Sequence, residues 1–174
     1  MIPPIETESS GSPSFDAEVQ RWIARFSLRP HPEGGYFREL YRSETEVTRR
    51  DETRSALTTI HYLLAKGQFS RWHVVESDEV WHFLGGEPME LILHNPQNGK
   101  TEPIRLGPAM VPGCETVRVV PAGHWQAARP LGELALTGCT VGPGFDFADF
   151  RFVSDLPGQV ERFTGDLGRF RDLL

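Results

Sequence analysis

The sequence predicts an all-β fold, an antiparallel β-sandwich or barrel with a short helix near each end. Three observations carry this. About ten short runs of alternating or β-branched residues are separated by turn residues. Glycine and proline number 17 and 14 among 174 residues, which suits many tight connections and disfavours a helical bundle. Apolar residues at the helical period occur near the two ends of the chain. The length favours one domain, spanning 14–174 behind a Pro/Ser/Glu-rich tail at 1–13 that is expected to be disordered.

In chain order, Ser14 is placed to cap a helix over about 14–27. Val19, Trp22, Ile23 and Phe26 fall on one side of it. The barrel is expected over about 36–154. Pro30, Pro32 and the Gly34-Gly35 pair end the helical character, and Tyr36 to Arg42 reads as a strand. Residues 43–54 read as a charged loop, and SALTTIHYLL as a β-branched apolar strand. Two aromatic-rich runs, 69–75 and 79–84, read as a hairpin turned through Glu76-Ser77-Asp78. Further strands follow at 88–94, 101–106, 117–121, 124–128, 134–141 and 150–153, with Asn95 to Lys100 as a strong turn. In the C-terminal segment, 155–174, a short helix would offer Val160, Phe163, Leu167 and Phe170 as contacts.

A formal charge of −6 argues against a general nucleic-acid binder, which needs a basic surface. Of 18 basic residues only Lys66 and Lys100 are lysines, so arginine forks for carboxylate or phosphate are plentiful. Cys114 and Cys139 show no metal spacing and read as free thiols in a reducing compartment. No run approaches the roughly 18 apolar residues of a membrane span, and the N-terminus lacks a signal-peptide pattern. A cytoplasmic protein with no membrane partner is expected.

The stretch Gly67 to Gly86 organises the chemistry. Alternation puts Phe69, Arg71, His73 and Val75 on one face, and Glu79, Trp81 and Phe83 on one face of the next strand. Gly67-x5-His73-x-Val75-x3-Glu79-x6-Gly86 resembles the first cupin motif except that Val75 stands where that motif has a second histidine. Pro121-x-Gly123-x2-Gln126 resembles the middle of the second cupin motif, with Gln126 in place of histidine. HPEGGYFRELYRS, FSRWHVVESDEVWHF, VPAGHWQAAR and GCTVGPGFDFADF together resemble the fifth catalogued cupin family, a domain of unknown function. The resemblance implies an RmlC-like jelly-roll barrel in a homodimer, and no settled activity.

A metal-binding cupin resembles three His and one Glu around a divalent ion. Here the corresponding positions are His73, Val75, Glu79 and Gln126, with His124 as a substitute ligand. An alkyl group and a neutral amide make a poor transition-metal set, so no cofactor is expected and divalent metal only weakly. His73 with Glu79 instead suggests an acid/base pair suited to metal-independent isomerase or epimerase chemistry. Tyr36, Phe69, Trp81, Phe83 and Trp125 offer flat walls, and Arg38, Arg42, Arg71 and Arg118 offer forks. With Glu39 and Gln126 they suit a small polar ligand, such as a phosphorylated compound, nucleotide or nucleotide-sugar. An inward Arg71 would need Glu39, Glu79 or an anionic ligand as partner. A non-catalytic binding or sensing protein is the alternative, and a metal-dependent oxygenase the third. Glu33 reads as a turn or barrel-sealing residue, and Asp146 and Asp149 as turn and surface residues.

Overall fold

A computed structural model describes residues 14–174; the expected tail at 1–13 lies outside the described residues. The helix α1 (Phe15–Phe26) begins at Ser14, whose hydroxyl accepts a hydrogen bond from the Ala17 amide. The strands in order are β1 (Arg29–Pro30), β2 (Tyr36–Arg42), β3 (Glu46–Arg49), β4 (Glu52–Ser55), β5 (Thr58–Ala65), β6 (Ser70–Val75) and β7 (Asp78–Gly86). They continue as β8 (Met89–His94), β9 (Thr101–Leu106), β10 (Val117–Val120), β11 (Trp125–Pro130), β12 (Leu134–Gly142) and β13 (Phe150–Phe152).

A six-stranded sheet in the order β1-β2-β5-β12-β7-β10 faces a five-stranded sheet in the order β13-β6-β11-β8-β9. From β5 onward each strand lies in the other sheet from its predecessor, the β8–β9 hairpin excepted. This is an antiparallel sandwich, as the turn spacing implies, with the jelly-roll crossing that the cupin resemblance implies. It also corrects the expected 69–84 hairpin. Strand β6 pairs with β11 and β13, whereas β7 pairs with β12 and β10. His73 and Glu79 therefore face each other across the sandwich instead of lying side by side in one sheet. Alternation fixed their inward direction correctly, because residue parity does not depend on which partner a strand takes.

The inner faces meet in a core of Tyr62, Leu64, Trp81, Met89, Leu91, Leu93, Ile104 and Leu106. Each such side chain contributes about 1.5–3 kcal/mol on full burial. Helix α1 lays Val19, Trp22, Ile23 and Phe26 on the outer face of β5 and β12, at Leu63, Leu134 and Leu136. The C-terminal segment covers the outer face of the second sheet, burying Phe163, Leu167, Phe170 and Leu173 against Trp72, Ile92 and Trp125. It does so as short 3₁₀ turns around a single helical turn, α2 (Gly165–Gly168), not as one helix. Pro157, Gly158 and Gly165 interrupt any longer helix there.

Residues 43–54, expected to be a charged loop, form the hairpin β3–β4. Its arginines fasten it to the barrel. Arg54 grips Asp149 through Nε and Nη2, both at 2.9 Å, and Arg49 Nη2 lies 3.1 Å from the same carboxylate. Asp149, expected at the surface, is only 5% exposed. The Arg54 bond holds its carboxyl below the usual carboxylate range.

Candidate functional site

The loop joining β1 to β2 turns on Gly34 and Gly35, both at positive φ. A side chain at Gly34 would collide with the Phe69 carbonyl oxygen, so only glycine lets the loop press against the approach to β6. That close approach carries Glu33 inside. The Arg71 amide donates to the Glu33 carbonyl, and the Glu33 carboxyl ends 6% exposed on the wall of a cavity of about 320 Å³. His31, His73, Val75, Glu79 and Cys139 share that wall, with Phe37, Ile60, Val141, Phe145, Phe147 and Phe150 as its apolar part. Arg29, Glu39, Arg42, Thr58 and Asp146 complete it.

Burial sets the proton positions. Glu79 is 7% exposed, and desolvation pushes its pKa up to about 7, against the opposing pull of His73. Glu33 is raised by the same cause, opposed by His31. His73 and His31 are both lowered by burial, with Glu79 and Glu33 respectively opposing. Burial, reinforced by Glu79, raises the Cys139 thiol well above its ordinary value, so it is neutral and no nucleophile.

Hydrogen bonds then assign the acceptor. His73 Nδ1 lies 2.7 Å from the Arg71 carbonyl oxygen, which can only accept, so Nδ1 carries the hydrogen. The lone pair of the neutral ring is on Nε2, which sits 3.4 Å from Glu33 Oε2. Glu79 Oε2 accepts a 2.6 Å bond from Gln126 Nε2, and Gln126 Oε1 accepts from Trp81 Nε1 at 3.0 Å. The amide is thus oriented by the indole, and it in turn orients the carboxyl.

Of the residues expected at the site, His73, Glu79, Glu39 and Arg42 line the cavity, and Gln126 and Trp81 stand behind Glu79. The others do not converge there. Tyr36 packs beneath α1, and Arg38 donates to the Phe26 carbonyl. Phe69 packs toward the C-terminal segment, and Phe83 packs in the central core. Arg71 shares the parity of His73 but sits near the strand end. Its guanidinium lies 3.8 Å over the Phe152 ring and donates to the Pro32 carbonyl, so neither Glu39 nor Glu79 is its partner. Arg118 pairs with Glu102 at 2.8 Å and Glu115 at 3.3 Å, lining a separate cavity of about 550 Å³. His124 lines that second cavity too, away from His73. The cations at the first cavity are Arg29 and Arg42.

Sequence reasoning missed Glu33 and His31. The signal for them is the HPEGGY stretch itself, since paired glycines permit the close backbone approach that turns Glu33 inward.

The metal arrangement that the cupin resemblance implies does not fit these residues. Val75, an alkyl group at one ligand position, packs with Val141 and Phe150, and both ends of the Gln126 amide at another are engaged. Among the described residues no three His, Cys, Asp or Glu side chains are grouped so as to hold a metal ion.

Residues 20–153 match the family described as Cupin superfamily (DUF985). The chain belongs to that family. A hypothetical protein from Leishmania major is similar at 31% identity, covering 76% of this chain and 85% of its own, with a TM-score of 0.70. A protein of Shewanella oneidensis is similar at 28% identity, covering 88% and 92%, with a TM-score of 0.74. Oxalate decarboxylase of Bacillus subtilis shares the cupin fold at 18% identity, covering 86% of this chain and 38% of its own, with a TM-score of 0.55. No curated protein matches the sequence.

Proposed function

We propose that this cupin binds a small organic molecule in the cavity between its sheets and moves a proton in it without a metal, as an isomerase or epimerase does. The observation that carries the reading is the convergence of Glu79, Glu33 and His73 on one apolar-walled cavity. Glu79, held at about 7, is divided between acid and base near neutral pH, and His73 Nε2 presents a lone pair. Such a set can take a proton from a carbon beside a carbonyl and return it elsewhere.

The cavity volume is at the lower end of the about 300–1,000 Å³ usual for small-molecule sites. That favours a compact ligand over a nucleotide-sugar. Of the forks that suggested phosphate, Arg38, Arg71 and Arg118 are engaged away from the cavity, and Arg42, on its wall, is held by Glu39.

The test is proton exchange with solvent. Dihydroxyacetone, hydroxyacetone and aminoacetone are incubated with protein in D2O and their C–H signals followed by ¹H NMR. Protein-dependent exchange is expected, falling at least about 100-fold in Glu79→Gln or His73→Phe, the scale of a lost general base. Compounds that raise the melting temperature but show no exchange would make the protein a binding module instead.

A further inference from the structure

Resting on the acid–base reading of the same cavity, we propose that its ligand carries a positively charged nitrogen, as a small protonated amine or quaternary ammonium compound with an apolar body. Charge accounting leads there. Four carboxyl groups, Glu33, Glu39, Glu79 and Asp146, face two guanidiniums, Arg29 and Arg42. Arg42 is already engaged, with Nε and Nη2 on the two Glu39 oxygens at 3.2 and 2.7 Å and Nη1 on the Phe145 carbonyl at 3.0 Å. The Arg29 guanidinium lies 4.8 Å over the Phe37 ring. Asp146 accepts from the Ala148 amide. Among the described residues neither Glu33 nor Glu79 forms an ion pair with an arginine, and Arg71 acts on Glu33 only from longer range.

Glu33 is the more telling of the two. Its carboxyl is buried beside the neutral imidazoles of His73, with Nε2 at 3.4 Å, and His31, with Nδ1 at 3.8 Å, and the Ser70 and Tyr62 hydroxyls can offer it hydrogen bonds but no positive charge. A buried carboxyl with such partners is costly to ionise unless a ligand brings the positive charge. The remaining wall is apolar and rich in aromatic rings. Phe145, Phe147 and Phe150 pack edge to face at 5.0 to 6.3 Å and line the cavity together with Phe37. Rings attract a desolvated cation and not an anion. A cation arriving beside Glu33 and Glu79 favours their ionised forms, so binding releases a proton from carboxyl to solvent. His31, His73 and Cys139 face the same space and, neutral, add no charge against it.

The test uses matched probes at about pH 8, where linkage favours the carboxylates. Choline is compared with its neutral isostere 3,3-dimethylbutan-1-ol, benzylamine with benzyl alcohol, and both pairs with inorganic phosphate, by titration calorimetry. The ammonium member of each pair is expected to bind at least about tenfold tighter than its isostere. Glu33→Gln and Glu79→Gln should erase that preference while leaving the alcohols unchanged, which also shows that the variants are folded. Equal affinity within each pair, tighter binding of phosphate, or no binding of either ammonium probe overturns the proposal. Exchange of hydroxyacetone or dihydroxyacetone as fast as that of aminoacetone would sink the ammonium assignment and leave the acid–base reading standing.

Discussion

Replacing Glu79 by glutamine gives the clearest energetic consequence of the site. The carboxyl sits at about 7 in the folded protein against an ordinary 4.5, chiefly because burial penalises its charge. Below the lower value it is neutral in both folded and unfolded chains and costs nothing. Above the upper value the folded protein must carry a buried charge that the unfolded chain carries freely. Stability is therefore lost as pH rises through that window, by about 3 kcal/mol from this group alone. Glutamine keeps the shape, and its carbonyl oxygen can still accept from Gln126 Nε2, so Glu79→Gln removes the ionisation and little else. Glu33 adds a loss of the same sign, whereas His31 and His73, lowered by burial, lose stability as pH falls. The difference between variant and wild type isolates Glu79. Urea unfolding followed by tryptophan fluorescence should show little difference at about pH 4.5 and a gain for the variant approaching 3 kcal/mol at about pH 8.5. A difference that does not change with pH, or that favours wild type at the alkaline end, would refute the reasoning.

Other consequences follow from the same geometry. Asp149→Ala strands Arg49 and Arg54 and should cost about 2–3 kcal/mol by urea unfolding, below the about 3–5 kcal/mol of a fully buried pair because both arginines keep some solvent. Gly34→Ala should cost at least about 2 kcal/mol, since it adds a collision with Phe69 at a positive φ. It should also draw Glu33 out of the cavity, lowering the carboxyl's pKa in a glutamate-resolved titration. Treatment with a chelator should leave the melting temperature unchanged, whereas a fall of several degrees would show that a bound metal contributes to the fold.

How much of this the sequence disclosed depends on the range of the interaction. Period-two alternation put His73 and Val75 on one strand face and Glu79 and Trp81 on one face of the next, because parity is a local property of each strand. Which sheet a strand joins is not local. A short acidic turn between β6 and β7 looks the same whether the strands pair or cross the sandwich, so the hairpin reading failed. Arg71 shows the limit of parity itself: at the strand end its long side chain bends to Phe152 and the Pro32 carbonyl. The β3–β4 hairpin is held by pairs with Asp149, about a hundred residues away, which no local pattern displays. Glu33 enters the cavity through a glycine turn against Phe69, again a tertiary contact. Val75 and Gln126, by contrast, could be weighed from spacing alone, since they occupy fixed positions in a recognisable frame.

The most direct test of the central claim observes the carboxyl itself. Protein labelled with ¹³C at the glutamate side-chain carboxyl is titrated by NMR, and the resonance lost in Glu79→Gln is thereby assigned to Glu79. The account predicts that this resonance titrates at about 7, well above the exposed glutamates. A Glu79 resonance that titrates at or below the ordinary glutamate value would contradict it, because the cavity would then hold a fixed carboxylate and not a group able to give and take a proton.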